Sequence, residues 1–255
     1  MKNFLTVLLG VICVAVIFLG HSYYNQKIEA TSNKGIKMSE ETFEEAVAPS
    51  DDFEQLTKNW PSHAVKRMKQ TIKEKKQFNI LLVGSGSDAK SYKDVKEKLT
   101  KAFGDHIKVS IVSYNKTSTE FIQQKDLTDK KADFVVLEPF LLADNGVVTI
   151  DDTLKNVSQI IKQTDDANPD AAFVLQPSYP LYQAKYYPNQ VEVLKKYADK
   201  KDIPFLDHWS AWPDYQKQEI KDYLLSDQSG PNEKGIQVWS DYLLHYLINS
   251  DSESL

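Results

Sequence analysis

Five short apolar runs, separated by longer amphipathic stretches, are the feature that most restricts how this chain can fold. The runs are NILLVG, KVSIVSY, DFVVLEP, AAFVLQP and IPFLD, at residues 79–84, 108–114, 133–139, 171–177 and 203–207. Strands that are apolar on both faces belong in a parallel sheet covered by helices on both sides. The alternation therefore predicts a doubly wound, flavodoxin-like α/β domain with a five-stranded parallel sheet.

The amphipathic stretches supply the helices that such a sheet requires. We predict them at residues 91–103, 118–129, 152–164, 190–199, 215–225 and 233–248. Another helix precedes the first strand, with Pro61 in its first turn, and Asn232 is the expected cap of the last helix. Ligands of doubly wound sheets bind beyond the carboxyl ends of the strands, so we expect the site in the loops that follow the five runs.

An uncharged apolar run at residues 4–20 precedes the domain. It is at the short end of the roughly 17 to 25 residues that span a bilayer. A cleaved secretory signal is the alternative, but its apolar region is typically about 7 to 15 residues and ends in an A-x-A-like site. Here His21, Ser22 and two tyrosines follow instead. We therefore predict a retained transmembrane helix within a membrane anchor at residues 1–25.

The rest of the chain divides into a tether and one domain. Residues 26–52 are polar, acidic toward their end and poor in large apolar side chains, which is typical of a flexible tether. Residues 53–255 form the α/β domain. Lys2 marks the inner side of the membrane, although Lys27, Lys34 and Lys37 follow the anchor. We place the domain outside the cell membrane, on a single-pass protein.

Composition excludes several classes of function for the domain. Cys13 is the only cysteine and falls in the predicted anchor, so the domain has no disulfide and no thiol nucleophile. The net charge of −5, without a basic stripe, argues against nucleic-acid binding. We interpret Glu138, Asp144, Asp151 and Asp152 as solvated or capping carboxylates, and predict no metal site and no cofactor.

Three segments fall in the order and spacing of known hydrolase motifs. VGSGSDA follows the first run, EPFLLADNG follows the third, and SDQSGPNEKGIQVW leads into the last helix. The last segment is similar to D-x-x-H-P-N-x-x-G. Residues 79–247 thereby resemble the SGNH/GDSL hydrolase family. The resemblance implies a serine nucleophile after the first strand, a glycine and an asparagine that hold the oxyanion, and a histidine base three residues after an aspartate.

The resemblance breaks down at the reacting groups. Gly86 stands where the family has its serine, Ala143 where it has its asparagine, and Gly230 where it has its histidine. No glycine of the second motif is present at residues 115–119. Asp227 alone remains of the triad, and an aspartate without its imidazole has nothing to orient.

One alternative keeps catalysis with displaced residues. Ser85 or Ser87 would be the nucleophile, and His208, after the fifth run, would be the base. The opposing interpretation is structural, since a Gly-Ser-Gly-Ser turn is an ordinary way to leave a strand. A histidine beside Trp209 and Trp212 is also more often a packed core residue than a base.

Aromatic residues follow the fourth and fifth runs, beside the expected crevice. They are Tyr179, Tyr182, Tyr186, Tyr187, Trp209 and Trp212. Aromatic faces suit stacking on sugar rings, and packing of long loops is an equal alternative. We predict a catalytically degenerate domain that binds a cell-envelope polysaccharide or an envelope protein, with Asp144, Tyr182 and Trp209 as ligand contacts. An active esterase or acyltransferase on an envelope polysaccharide, and a structural assembly factor, are the alternatives.

Overall fold

The computed structural model describes the backbone of residues 51–85 and 89–250 and the side chains of residues 53–85 and 92–250. The predicted anchor, most of the tether, Gly86 and Ser87 lie outside the described residues. Within the described ranges, no helix combines the length and the apolar character needed to cross a membrane. The anchor at residues 1–25 therefore stays a prediction.

Helices and strands alternate along the chain, as the apolar runs predict. In chain order they are α1 (Asp51–Leu56), α2 (Ser62–Lys73), β1 (Phe78–Ser85), α3 (Ala89–Phe103), β2 (Ile107–Tyr114), α4 (Ser118–Gln124), β3 (Phe134–Leu137), α5 (Leu141–Asp144), α6 (Ile150–Ala167), β4 (Ala172–Leu175), α7 (Tyr187–Lys200) and α8 (Glu233–Ile248). Short 3₁₀ helices lie at Gly104–His106, Thr128–Lys130, His208–Ala211 and Gln218–Tyr223.

The strands form one parallel sheet with the order β2-β1-β3-β4. β1 pairs with β2 along its whole length, from Phe78 against Ile107 to Ser85 against Tyr114. The other edge of β1 pairs with β3. This order confirms the parallel α/β class, and it brings the carboxyl ends of β1 and β3 together in the middle of one sheet edge.

The prediction of a fifth strand is wrong, because the sheet of the described residues has four. The fifth run lies beside β4 but pairs with it only through a bridge between Phe205 and Leu175. Two hydrogen bonds form there, from Leu175 N to Pro204 O (2.9 Å) and from Leu206 N to Leu175 O (2.8 Å). Pro204 and Pro177 have no N–H to donate, which limits the pairing on either side of the bridge.

Both faces of the sheet are buried. Alternate side chains of β1 point to opposite faces, so Ile80 and Leu82 pack with residues of α2, α3 and α8. Leu81 and Val83 pack on the other face, with residues of α4, α6 and α7. This two-sided core explains why the runs are apolar throughout.

The chain enters the domain at the amino-terminal edge of the sheet. Phe53 stacks on Phe103, with 5.9 Å between the ring centroids. Trp60 stacks on Phe78, the first residue of β1, at 5.5 Å. The indole N–H of Trp60 donates to Leu247 O (2.9 Å), so α8 ends at this same edge. The carboxyl edge, where the site is expected, lies opposite.

Candidate functional site

A buried carboxylate occupies the middle of the carboxyl edge. Glu138 follows β3 directly and is only 2% exposed. Its Oε2 accepts from the backbone N–H of Ser85 (2.6 Å), and its Oε1 accepts from the hydroxyl of Ser178. Glu138 therefore ties together the chain segments that leave β1, β3 and β4, and it is not the solvated or capping carboxylate that the sequence suggested.

The surroundings of Glu138 shift its pKa and leave little space beside it. Burial raises the pKa of Glu138, while the hydrogen bonds from Ser178 and Ser85 act in the opposite direction. Gly84 permits the close packing, since a Cβ at that position would lie 2.3 Å from the hydroxyl of Tyr92 and 3.0 Å from Glu138 Oε2. The end of β1 is thus built around this carboxylate.

Of the two serines predicted as displaced nucleophiles, the structure describes only Ser85. It is the last residue of β1 and is half-buried, and its N–H donates to Glu138 Oε2 (2.6 Å). Ser85 therefore lies beside a carboxylate, where the SGNH mechanism requires an imidazole.

His208 lies at the carboxyl edge, in the 3₁₀ helix after the fifth run. Its Nδ1 accepts from the indole N–H of Trp212 (3.1 Å), so Nε2 carries the proton and donates to Pro177 O (2.9 Å). Burial lowers the pKa of His208 to about 4. Both nitrogens are committed within the core, and neither is left to take a proton from Ser85.

The other described histidines lie at the opposite edge of the sheet. His106 immediately precedes β2, and His245 is in the last turn of α8. His63 lines a groove with Ala171, next to the start of β4. Among the described residues, the carboxyl edge therefore has no imidazole available as a base.

The loop of the final motif has space at Gly230, where the family has its histidine. Asp227 is exposed, and its carboxylate accepts from the N–H (3.0 Å) and the hydroxyl (2.7 Å) of Ser229. Gly230 is buried, and the nearest atom to a Cβ there would be Leu225 Cδ1 at 3.5 Å, an ordinary contact. The loop thus has room for a Cβ at residue 230, while Asp227 is engaged within its own turn.

The three residues predicted as ligand contacts are in different surroundings. Asp144 is buried, and its carboxylate accepts from Ser118 N (2.7 Å) and from the hydroxyl of Thr153 (2.6 Å). Trp209 is half-buried and donates its indole N–H to Ser178 O (2.8 Å). Tyr182 is half-buried under Lys221, whose Nζ lies 4.1 Å from the ring centroid. Asp144 therefore supports the fold, while Trp209 and Tyr182 keep partly exposed rings.

Aromatic side chains fill the centre of the edge. The cavity beside Glu138 measures about 10 Å³ and is lined by Tyr179, Trp212 and Trp239. That space is close to what one water needs. Within the described ranges, no three His, Cys, Asp or Glu side chains converge as metal ligands would. A larger ligand must therefore lie outside this cavity, against the surrounding loops.

Comparison with known proteins identifies the fold. No protein-family model matches the chain, and no curated protein sequence matches it. A GDSL-like lipase from Bacteroides thetaiotaomicron superposes with a TM-score of 0.52 at 14% identity, over 76% of this chain and 100% of that chain. An acetylxylan esterase from Geobacillus stearothermophilus gives 0.52 at 15%, over 69% and 95%. A lipase from a goat rumen metagenome gives 0.50 at 12%, over 67% and 97%. The domain therefore has the SGNH/GDSL hydrolase-like fold that its motifs predicted.

Proposed function

We propose that this SGNH-hydrolase-like domain binds a cell-envelope polysaccharide and does not hydrolyse its esters. His208 is the main support for the absence of hydrolysis, because this imidazole is buried, neutral and hydrogen-bonded at both nitrogens. A serine attacks an ester only when a base takes its proton. With glycine at residue 230, the final motif supplies no such base.

The ligand class rests on the loops around the edge. Trp209 and Tyr182 keep partly exposed aromatic rings there, and such rings stack on the apolar faces of sugars. One solved structure of the same fold is named as an acetylxylan esterase, so the fold accommodates a polysaccharide ester in that protein. An envelope protein as the ligand is the competing outcome.

We propose that the domain lies outside the cell, that residues 1–25 anchor it in the membrane, and that residues 26–52 separate it from the membrane. The apolar run at residues 4–20 supports this arrangement. Protease added to intact cells should digest the domain. Protection of the domain would reverse the orientation.

The absence of hydrolysis is tested with residues 53–255 and p-nitrophenyl acetate. We expect no turnover above the buffer rate. Gly86→Ser combined with Gly230→His is the matched gain-of-function variant, because it restores both reacting groups of the family and should therefore gain turnover. Gly230 has space for the Cβ of the new histidine. Turnover by the wild type that Ser85→Ala or Ser87→Ala removes would contradict the proposal.

The second candidate is an esterase or acyltransferase that uses displaced residues. The position of Ser85 beside Glu138 favours it, since the Ser85 N–H donates to Glu138 Oε2 (2.6 Å). Burial raises the pKa of that carboxyl, and a carboxylate with a raised pKa is a stronger base. In that case Glu138→Gln and Ser85→Ala should each abolish turnover. In the proposed binding protein, there is no turnover for either variant to abolish.

Binding is tested by retention of the domain on purified wall polysaccharide. Trp209→Ala and Tyr182→Ala should both reduce retention, because each removes a ring from the edge. Circular dichroism shows whether each variant is folded. Equal retention of the wild type and both folded variants would reject a polysaccharide at these rings and favour a protein partner.

A further inference from the structure

A larger recess lies between the first turns of α4 and α6. We call it the threonine groove, and its polar lining includes Thr117, Thr119, Thr149, Asn156 and Gln159. Its volume of about 690 Å³ is within the range of small-molecule sites, roughly 300–1,000 Å³. The cavity beside Glu138 measures only about 10 Å³. Of these two recesses, only the groove has space for an oligosaccharide.

The threonine hydroxyls keep hydrogen-bonding capacity for a ligand. Thr119 Oγ1 accepts from Asn156 Nδ2 (3.0 Å), which leaves its own proton to donate. Thr149 Oγ1 donates to Asp152 Oδ2 (2.7 Å) and accepts from Asp152 N (3.2 Å), which leaves one lone pair. Gln159 is exposed three residues beyond Asn156 and offers both a donor and an acceptor. Sugar hydroxyls, which donate and accept, match this mixture.

An apolar wall completes the groove. Val147 lines it and is 76% exposed. Val148, its half-buried neighbour, lies in the same lining. A sugar ring presents hydroxyls at its edge and C–H groups on its faces, so it pairs with polar and apolar walls together.

The charges of the groove are paired within the protein. Glu120 lies 3.2 Å from Lys116, and Asp152 lies 2.7 Å from Lys155. The hydrogen bonds from these lysines lower the pKa of both carboxyls, so both are ionised at neutral pH. A polyanion would meet two carboxylates whose lysines are already engaged. The lining therefore favours an uncharged ligand.

The floor of the groove is held in place by buried hydrogen bonds. Asn156 is 7% exposed and donates to the Ser118 hydroxyl (2.8 Å) as well as to Thr119. Asp144 accepts from Ser118 N and from Thr153 beneath it. A lining fixed in this way loses little conformational entropy when it binds a ligand.

We propose that the threonine groove binds an uncharged oligosaccharide, with hydrogen bonds from Thr119 and Gln159 and an apolar contact from Val147. The inference rests on the proposed function and deepens it. It adds a second region of contact with the polysaccharide, in a recess that Trp209 and Tyr182 do not line.

The test uses the full chain, solubilised in detergent, and isothermal titration with cellohexaose and chitohexaose, with oligogalacturonate as the anionic probe. The wild type should bind at least one uncharged probe and not the anion. Thr119→Val combined with Gln159→Ala should weaken that binding at least tenfold. Thr128→Val, near the opposite edge, is the matched control and should bind as the wild type does. Val147→Asp provides a second groove variant at an exposed position, should the double variant unfold.

Either of two outcomes would overturn the proposed binding site in the groove. One is no binding of either uncharged probe, and the other is equal affinity of the wild type and the folded groove variants. Loss of oligosaccharide binding in Trp209→Ala, with unchanged binding in the folded groove variants, would reject the groove and leave the proposed function standing. Ester turnover by the wild type, together with groove-dependent binding, would reject the proposed function and leave the groove standing.

Discussion

His208 is neutral in the folded protein because burial disfavours its charged form. Its pKa falls from an ordinary 6.5 to about 4, so between these values the unfolded chain binds a proton that the folded chain does not. The contribution of His208 to the free energy of unfolding is therefore highest above pH 6.5 and is lost as the pH falls toward 4. We expect the free energy of unfolding to decrease by roughly 3 kcal/mol over this interval through His208.

Chemical denaturation at several pH values measures that decrease. His208→Gln should remove it, so that the difference between wild type and variant shrinks as the pH falls. If the variant does not fold, an NMR titration of the wild-type imidazole gives the pKa directly. Parallel pH profiles for the two proteins, or a midpoint near 6.5, would mean that His208 is accessible to solvent.

Two glycines of the final motif differ in the space around them. A Cβ at Gly235 would lie 2.3 Å from Tyr223 O and 2.8 Å from the Trp212 ring, whereas Gly230 has only the 3.5 Å contact with Leu225. Gly235→Ala should therefore lower the free energy of unfolding by about 1–3 kcal/mol. Gly230→Ala should change it by less than about 1 kcal/mol. Urea denaturation measures both, and similar losses would argue against this packing.

At the scale of elements, α8 depends on one asparagine. Asn232 Oδ1 accepts from Lys234 N (2.9 Å) and Gly235 N (3.2 Å), and its Nδ2 donates to Asp222 O (2.9 Å) and Leu224 O (3.1 Å). The residue thus caps the helix and holds the preceding loop.

Asn232→Ala should therefore cost the upper part of the range for a lost cap, which is about 0.5–2 kcal/mol. Thr149→Ala is the comparison, because Thr149 caps α6 through one backbone N–H and should lie at the lower end of that range. Thermal unfolding of both variants measures the difference. A loss for Thr149→Ala as large as that for Asn232→Ala would mean that the loop contacts contribute nothing.

The sequence predicts best those elements whose ends carry local signals. The last helix begins and ends where it was predicted, at Glu233–Ile248, because Asn232 marks its start. The helix predicted at 215–225 is wrong in type and extent, since only a 3₁₀ helix forms there, at Gln218–Tyr223. The prediction of a fifth strand is wrong for a tertiary reason. Strand pairing depends on which backbone N–H groups meet across the edge of the sheet, and the local sequence does not determine this.

The candidate site was only partly predictable. The motifs located its loops, and the packed interpretation of His208 agrees with its two hydrogen bonds. The sequence pattern predicts Glu138 to be a solvated or capping carboxylate, although it follows four buried residues of β3 in the same apolar run. Its role depends on donors from β1 and from the loop after β4, and such long-range contacts have no local signature.

At the scale of the whole molecule, we expect residues 53–255 to fold without the preceding chain. A chain that begins at Ser62 should be less stable, because it lacks Trp60, whose ring lies 5.0–5.6 Å from those of Phe78, Phe103 and Phe134. Loss of a large core aromatic costs about 3–5 kcal/mol. Thermal unfolding followed by circular dichroism should show a lower midpoint for the shorter chain.

Equal midpoints would mean that the first segment is not part of the core. Insoluble or unfolded material from residues 53–255 would contradict the interpretation of one independent domain.

The entry of the chain at the amino-terminal edge determines how the domain responds to mechanical load. In the tethered protein that we propose, a polymer held at the carboxyl edge and an anchor attached before Phe53 pull along the strand axis. The hydrogen bonds between β1 and its two neighbours then resist in shear, all at once. Force between Phe53 and Ile248, which lie toward the same edge, instead peels α8 from the sheet contact by contact. The domain is therefore expected to be strong along the strand axis and weak between Phe53 and Ile248.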